Sequence, residues 1–194
     1  MILETERLIL RPWADTDAES LFEYAKDDRV GPAAGWPPHT SVESSREVIR
    51  NVLSVPETYA VCPKADNRAI GSIGLMFGNA SNLDLAENEG EIGYWIGVPF
   101  WGQGLIPEAV RALICHAFTD LGVHTLWCGY FDGNEKSGRV QEKCGFTYHH
   151  TNRDIYWALM DVVLTEHITR LTKEEWTAQK AGGVPFSPMT RSGR

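Results

Sequence analysis

Gly102, Gln103 and Gly104 stand between an apolar stretch that closes at Pro99 and a helical pattern that begins at Leu105. A glycine-rich turn feeding a helix gathers backbone N–H groups at the positive end of the helix dipole, and the chemistry this suits is anion binding, above all of phosphate. Both glycines allow φ > 0 and let a ligand reach the main chain without a Cβ in the way. Pro107 fits the first helical turn, where its missing N–H costs nothing. A plain strand–helix turn would use the same residues, so the junction alone leaves both readings open. Two familiar phosphate loops are excluded. A Walker loop needs Lys-Ser/Thr after its last glycine, where Leu105-Ile106 stand, and the dinucleotide fingerprint needs glycine at position 107.

A second group lies in "NEKSGRVQEKCGF", residues 134–146. Asn134 is a strong N-cap, Gly145 a helix terminator, and Phe146 returns the chain to the core. Helical spacing puts Asn134, Ser137 and Gln141 on one face. A capped helix with polar residues toward water also accounts for Asn134.

The elements that must position these groups follow from periodicity. Residues 6–12 alternate as a strand, and 15–27 carry Ala18, Leu21, Phe22 and Ala25 at helical spacing. A Gly/Pro-rich irregular stretch reaches Ser41, and a helix follows over 43–54. Strands are predicted at 58–63, 69–77 and 90–98, with a solvated loop at 79–89 between the last two. A helix over 105–121, a strand at 124–131 and a helix over 134–144 come next. "FTYHHT" and "IYWALMDVVL" read as two further strands, Thr172 opens a last helix, and 181–194 reads as a flexible tail. The order predicts a mixed α/β domain whose sheet has about seven strands. The helix 105–121 makes its flanking strands parallel, because such a crossover requires it. One domain over 1–170 is expected, with 171–194 forming a C-terminal helix and tail.

The chain of 194 residues carries a net charge of −8 and no basic block, which argues against a nucleic-acid partner. No apolar run approaches the ~20 residues needed to span a bilayer. "MILETERLILRPW" has acids where a signal peptide needs bases, so a cytoplasmic protein is expected. Cys62, Cys115, Cys128 and Cys144 form no CxxC pair, and neither a disulfide framework nor a metal site is predicted.

"EIGYWIGVPFWGQGLIPEA", followed after a helix and a strand by "NEKSGRVQEKCGF", resembles the GNAT superfamily of acetyl-CoA-dependent N-acetyltransferases. The nearer resemblance is to the branch that acetylates the N-termini of ribosomal proteins. "ETERLILRPW" and "WPPHTSVESSREVI" also match that branch, so the likeness covers roughly residues 3–160. The resemblance implies the GNAT fold, with parallel strands splayed at the cofactor. It implies acetyl-CoA as cosubstrate, with its pyrophosphate on Trp101, Gly102, Gln103, Gly104, Leu105 and Ile106. Trp101 replaces the usual Arg or Gln, and Ile106 the usual Gly or Ala. The strand Tyr94–Val98, including Ile96 and Gly97, is implied to pair with the pantetheine arm, and Asn134 and Ser137 to lie near the pantetheine and the sulfur. Trp36, Pro37, Pro38 and His39 fall where related enzymes form a wall of the acceptor site. Trp36, His39 and Tyr94 are therefore the acceptor-binding candidates. A small-molecule or peptide amine is the implied partner, and a homodimer is compatible with the likeness.

Acetyl transfer needs a neutral amine, donors for an oxyanion and a proton for the thiolate. An α-amine has a pKa of about 8 and a lysine about 10.4, so a base helps most with lysine-like acceptors. Backbone N–H groups near Ile96–Val98 are the natural oxyanion donors. Many GNAT enzymes place a tyrosine acid four residues before the equivalent of Gly145. Here Gln141 stands there, and Ser137 is the hydroxyl that the resemblance offers instead. The branch often has a glutamate after Gly-Phe, where this chain has His149 and His150; alternation turns only one of them toward the site. Glu91 and His149 are the candidate bases. A CoA-binding module without turnover, and an enzyme for longer acyl chains, are the rival functions.

Overall fold

The computed structural model describes residues 1–182, and the tail expected over 181–194 falls from residue 183 onward outside them. Along the chain run β1 (Leu3–Glu4), β2 (Leu8–Arg11), α1 (Ala18–Ala25), α2 (Val42–Val48), β3 (Thr58–Pro63), β4 (Gly71–Met76) and β5 (Glu89–Ile96). After these come α3 (Leu105–Thr119), β6 (Thr125–Phe131), α4 (Glu135–Lys143), β7 (Thr147–Trp157), β8 (Val162–Thr172) and α5 (Lys173–Ala181). The strands form one eight-stranded sheet in the order β1-β2-β3-β4-β5-β6-β8-β7. β5 and β6 are parallel, as the α3 crossover requires, and every other neighbouring pair is antiparallel.

Helix α3 packs on one face of the sheet because its apolar residues recur at helical spacing. Leu105, Ala109, Val110, Leu113, Ala117 and Phe118 are buried with Ile73, Ile92 and Leu126. Helices α1 and α2 cover the other face, where Leu21, Ala25 and Ile49 meet Trp13, Ala60 and Cys62. Burying each large apolar side chain contributes roughly 1.5–3 kcal/mol. The N-terminal strands are also tied to α3: Glu108 accepts from the Thr5 hydroxyl, the Arg7 backbone N–H (2.9 Å) and Arg7 Nε (2.7 Å). The same Arg7 donates to the Gln103 carbonyl at 3.0 Å, so the glycine turn is clamped from β1–β2.

Three expectations need correction. The eighth strand is Leu3–Glu4, a two-residue pairing too short to leave a pattern. The helix expected over 43–54 stops being an α-helix at Val48 and continues as a π-wound turn, Ile49–Leu53. "IYWALMDVVL" is a hairpin rather than one strand. Met160 donates back to the Trp157 carbonyl, and Asp161 takes φ 54°, a turn conformation that aspartate tolerates. β8 therefore continues to Thr172, whose hydroxyl caps α5, and the α5 residue Trp176 packs on Phe118 at 5.2 Å. Strand, cap and core are thus continuous across residue 170.

Candidate active site

The parallel pairing of β5 and β6 is brief. Glu89, Gly90 and Glu91 face Thr125, Leu126 and Trp127, and the register ends there. Beyond it β5 stays paired to β4 as far as Ile96, and β6 stays paired to β8 as far as Phe131. Each strand keeps its outer partner while a wedge opens between them. A cavity of about 680 Å³ occupies this wedge and is lined from both faces of the sheet.

At one end lies the glycine turn. Gly102 and Gly104 have φ of 74° and 75°, and Gly104 is the N-cap of α3. A Cβ on Gly102 would meet nothing within 4 Å, and one on Gly104 only Arg7 at 3.7 Å, so the main chain is open to a ligand. Trp101 is anchored by its indole N–H on the Ile96 carbonyl (2.9 Å), with Lys136 Nζ 3.8 Å from its ring centroid. Lys136, Arg139 and Lys143 line this end from α4, and among the described residues none of them is in an ion pair. Sequence reasoning passed over these cations because their spacing also suits a solvated helix face. Leu105 and Ile106 line the cavity, whereas Gln103 turns its amide to the Pro99 carbonyl.

The middle of the cavity holds a hydroxyl pair. The Tyr94 hydroxyl lies 2.9 Å from Ser137 Oγ and donates to the Ser137 carbonyl at 3.1 Å. Burial pushes the Tyr94 phenol well up, so it stays protonated. Asn134 caps α4 by accepting from Ser137 N–H, and its amide donates to the Ala33 carbonyl. Gln141 is buried: its amide donates to the Gly129 carbonyl at 3.0 Å and its oxygen accepts from Thr169 at 2.8 Å. The expected N–H donors near Ile96–Val98 are reduced by one, because Gly97 spends its N–H on the Ile70 carbonyl of the β4 side. Gly97 and Val98 do not line the cavity, while Ile96 does.

The other end is acidic with aromatic walls. Glu91 and Glu166 are each 8% exposed and line the cavity beside Trp95, Phe131 and Trp157. Glu91 accepts from Ser81 Oγ at 2.6 Å and from the Asn82 backbone N–H, and burial raises its pKa. Among the described residues no hydrogen bond or ion pair reaches the Glu166 carboxylate. Burial first, and the charge of Glu91 second, push it up to about 7. Glu166 lies two residues past the strand that the sequence predicts, which ends at Leu164, whereas β8 runs to Thr172. The signal was an acid in line with Leu164 and Ile168 on an alternating strand.

His149 is an exposed residue of β7 whose ring packs edge-on to Trp127 and contacts His150 at 2.8 Å. A register shift between Tyr148 and His150 breaks the alternation, and neither histidine lines the cavity. Of the two candidate bases, Glu91 lines the cavity and His149 does not. Trp36 and His39 also lie off the cavity wall. The Trp36 ring turns inward, edge-on to Trp95 at 5.6 Å, and His39 packs on Trp36 and contacts Ser45 Oγ at 2.8 Å. They back the wall that Trp95 forms.

Both the sequence and the fold have counterparts among known proteins. The chain is similar to the uncharacterized N-acetyltransferase p20 of Bacillus licheniformis, 30% identical over 176 residues that span 87% of this chain and 96% of that one. It is 31% identical over 87 residues, 44% of each chain, to the [ribosomal protein uS5]-alanine N-acetyltransferase of Escherichia coli strain K12. Its fold is similar to a GNAT-family acetyltransferase crystal structure from Bacillus anthracis, with TM-score 0.78 and 21% identity over 90% of this chain and 99% of that one. The acetyltransferase (GNAT) domain profile matches residues 7–147, and the chain belongs to that family of acyl-transferring enzymes.

Proposed function

We propose that this chain is a cytoplasmic N-acetyltransferase that moves an acetyl group from acetyl-CoA to a primary amine by direct attack in a ternary complex. The observation that carries the reading is the cavity itself. It runs from an open glycine turn flanked by cations that form no ion pair among the described residues, past a buried hydroxyl pair, to two buried carboxylates. Lys136, Arg139, Lys143 and the N–H groups of the Gly102–Ile106 turn would hold the phosphates. The strand edges left unpaired by the wedge would take the amides of the pantetheine arm. Acetyl-CoA supplies an activated acyl carbon there, so that the C–N bond forms as C–S breaks.

The residues of this chain manage the protons. Glu166, pushed up to about 7 and without a hydrogen-bond or ion-pair partner among the described residues, receives a proton from the incoming ammonium. Ser137, backed by the Tyr94 hydroxyl, delivers one toward the departing sulfur. Four unpaired cysteines go with a reducing, cytoplasmic location. One curated relative acts on an alanine of ribosomal protein uS5, so a peptide α-amine is an acceptor to test beside small amines.

The test is thiol release from acetyl-CoA with a panel of amines and mass spectrometry of the products. Amine-dependent release with acetylated product is expected. Tight acetyl-CoA binding without amine-dependent release would instead identify a CoA-binding module.

A further inference from the structure

We propose that the Glu91–Glu166 end of the cavity selects acceptors that carry a second ammonium close to the reacting amine, the chemical class being a short aliphatic diamine. This rests on the acetyltransferase reading for the reaction but not for the binding. The two carboxylates belong to one face of the sheet. Glu91 is in register with Trp127 and Glu166 with Phe131, and alternate residues of β6 share a face. Between them lies Gly129, whose missing side chain leaves the space that the Glu166 carboxylate fills.

Both acids are nine-tenths buried, and among the described residues neither has a cationic partner. Arg29 also lines the cavity, and its guanidinium is held by Asp27 through hydrogen bonds of 2.9 and 2.6 Å. A monoamine could answer one carboxylate and would leave the other buried beside it without a counter-charge. An amino acid would add a third negative charge. A diammonium answers both, and its methylene chain suits walls made by Trp95, Phe131 and Trp157, whose ring faces also favour cations.

The two acids divide the work according to their partners. Glu91, fixed by Ser81 and Asn82, holds the ammonium that does not react. Glu166, free of hydrogen bonds among the described residues, takes a proton from the one that does. The reacting nitrogen loses two protons in all, one to Glu166 and one to the sulfur. C–N forms as C–S breaks, and the products are the monoacetylated diamine and the free thiol.

Steady-state thiol release by the full chain would compare putrescine, n-butylamine, alanine and an alanine-led tripeptide. Putrescine is expected to exceed each of the others in kcat/KM by about tenfold or more, a factor that equals about 1.4 kcal/mol and falls at the low end of the coupling between close charge pairs across an interface. Glu91→Gln, an isosteric change, should bring the putrescine-to-butylamine ratio close to one. Butylamine, alanine or the tripeptide matching putrescine, or an unchanged ratio in Glu91→Gln, would overturn the proposal. Calorimetry with CoA present reads the same preference without turnover, and equal Kd values for putrescine and butylamine would overturn it too. Selective putrescine binding with no thiol release from any amine would support this inference while removing the acetyltransferase reading.

Discussion

The Glu166 carboxylate lies where a side chain on Gly129 would stand, so the strand next to it must present a glycine for the acid to reach the cavity. In Gly129→Ala the new methyl would overlap the carboxylate. The flexible Glu166 end would then swing aside more readily than the backbone would shift. The expected result is a fall in kcat of about 10- to 100-fold, the low end of what a positioned base supplies, with little change in Tm. A fully active Gly129→Ala would show that the position of Glu166 is irrelevant to turnover.

The pH dependence follows from the same residue. Glu166 must be ionised to accept a proton, so log kcat/KM should rise with unit slope below about pH 7 and level off above it. Glu166→Gln should be slow and lack that rise. Stability runs the other way. The folded pKa is raised from 4.5 to about 7, so the native state binds the proton more tightly than the unfolded chain, and stability falls as pH climbs through that window. The loss for wild type is on the order of 3 kcal/mol by pH 7.5, and Glu166→Gln should not show it. Urea melts of both proteins at pH 5 and pH 7.5 would check this.

At the opposite end of the cavity, Gly104→Val is expected to weaken CoA binding by at least tenfold, about 1.4 kcal/mol. The residue has φ 75°, which a β-branched side chain strongly disfavours, and valine would stand in the open approach to the turn. Calorimetry with CoA measures the effect, and circular dichroism checks that the fold is kept. Unchanged affinity would take the phosphates away from this loop.

The hydroxyl pair gives a coupled prediction. Ser137→Ala should lower kcat by about a hundredfold with acetyl-CoA affinity nearly intact, since the hydroxyl acts as charge develops on sulfur. Tyr94→Phe removes the partner 2.9 Å away and should cost less alone and almost nothing on top of Ser137→Ala. Fully additive losses would separate the two roles. Gln141→Ala is unsuited as a control, because that side chain is buried and holds Gly129 and Thr169.

What the sequence by itself determined was local or a direct consequence of connectivity. The glycine turn, the N-cap at Asn134 and the course of α3 depend on residues a few positions apart, and all of these stand in the fold. Parallel β5 and β6 followed from the crossover alone. The acceptor end was decided by tertiary structure. Glu91 and Glu166 meet because β6 lies between β5 and β8, a sheet order that no local pattern encodes. His149 stands off the cavity wall because its ring packs against Trp127, and Trp36 because its ring finds Trp95. Buried polar groups are the hardest to read in advance. Glu166 and Gln141 look like surface residues by type, and only the strands and helices packed around them take their side chains out of water and give them chemistry or a structural task.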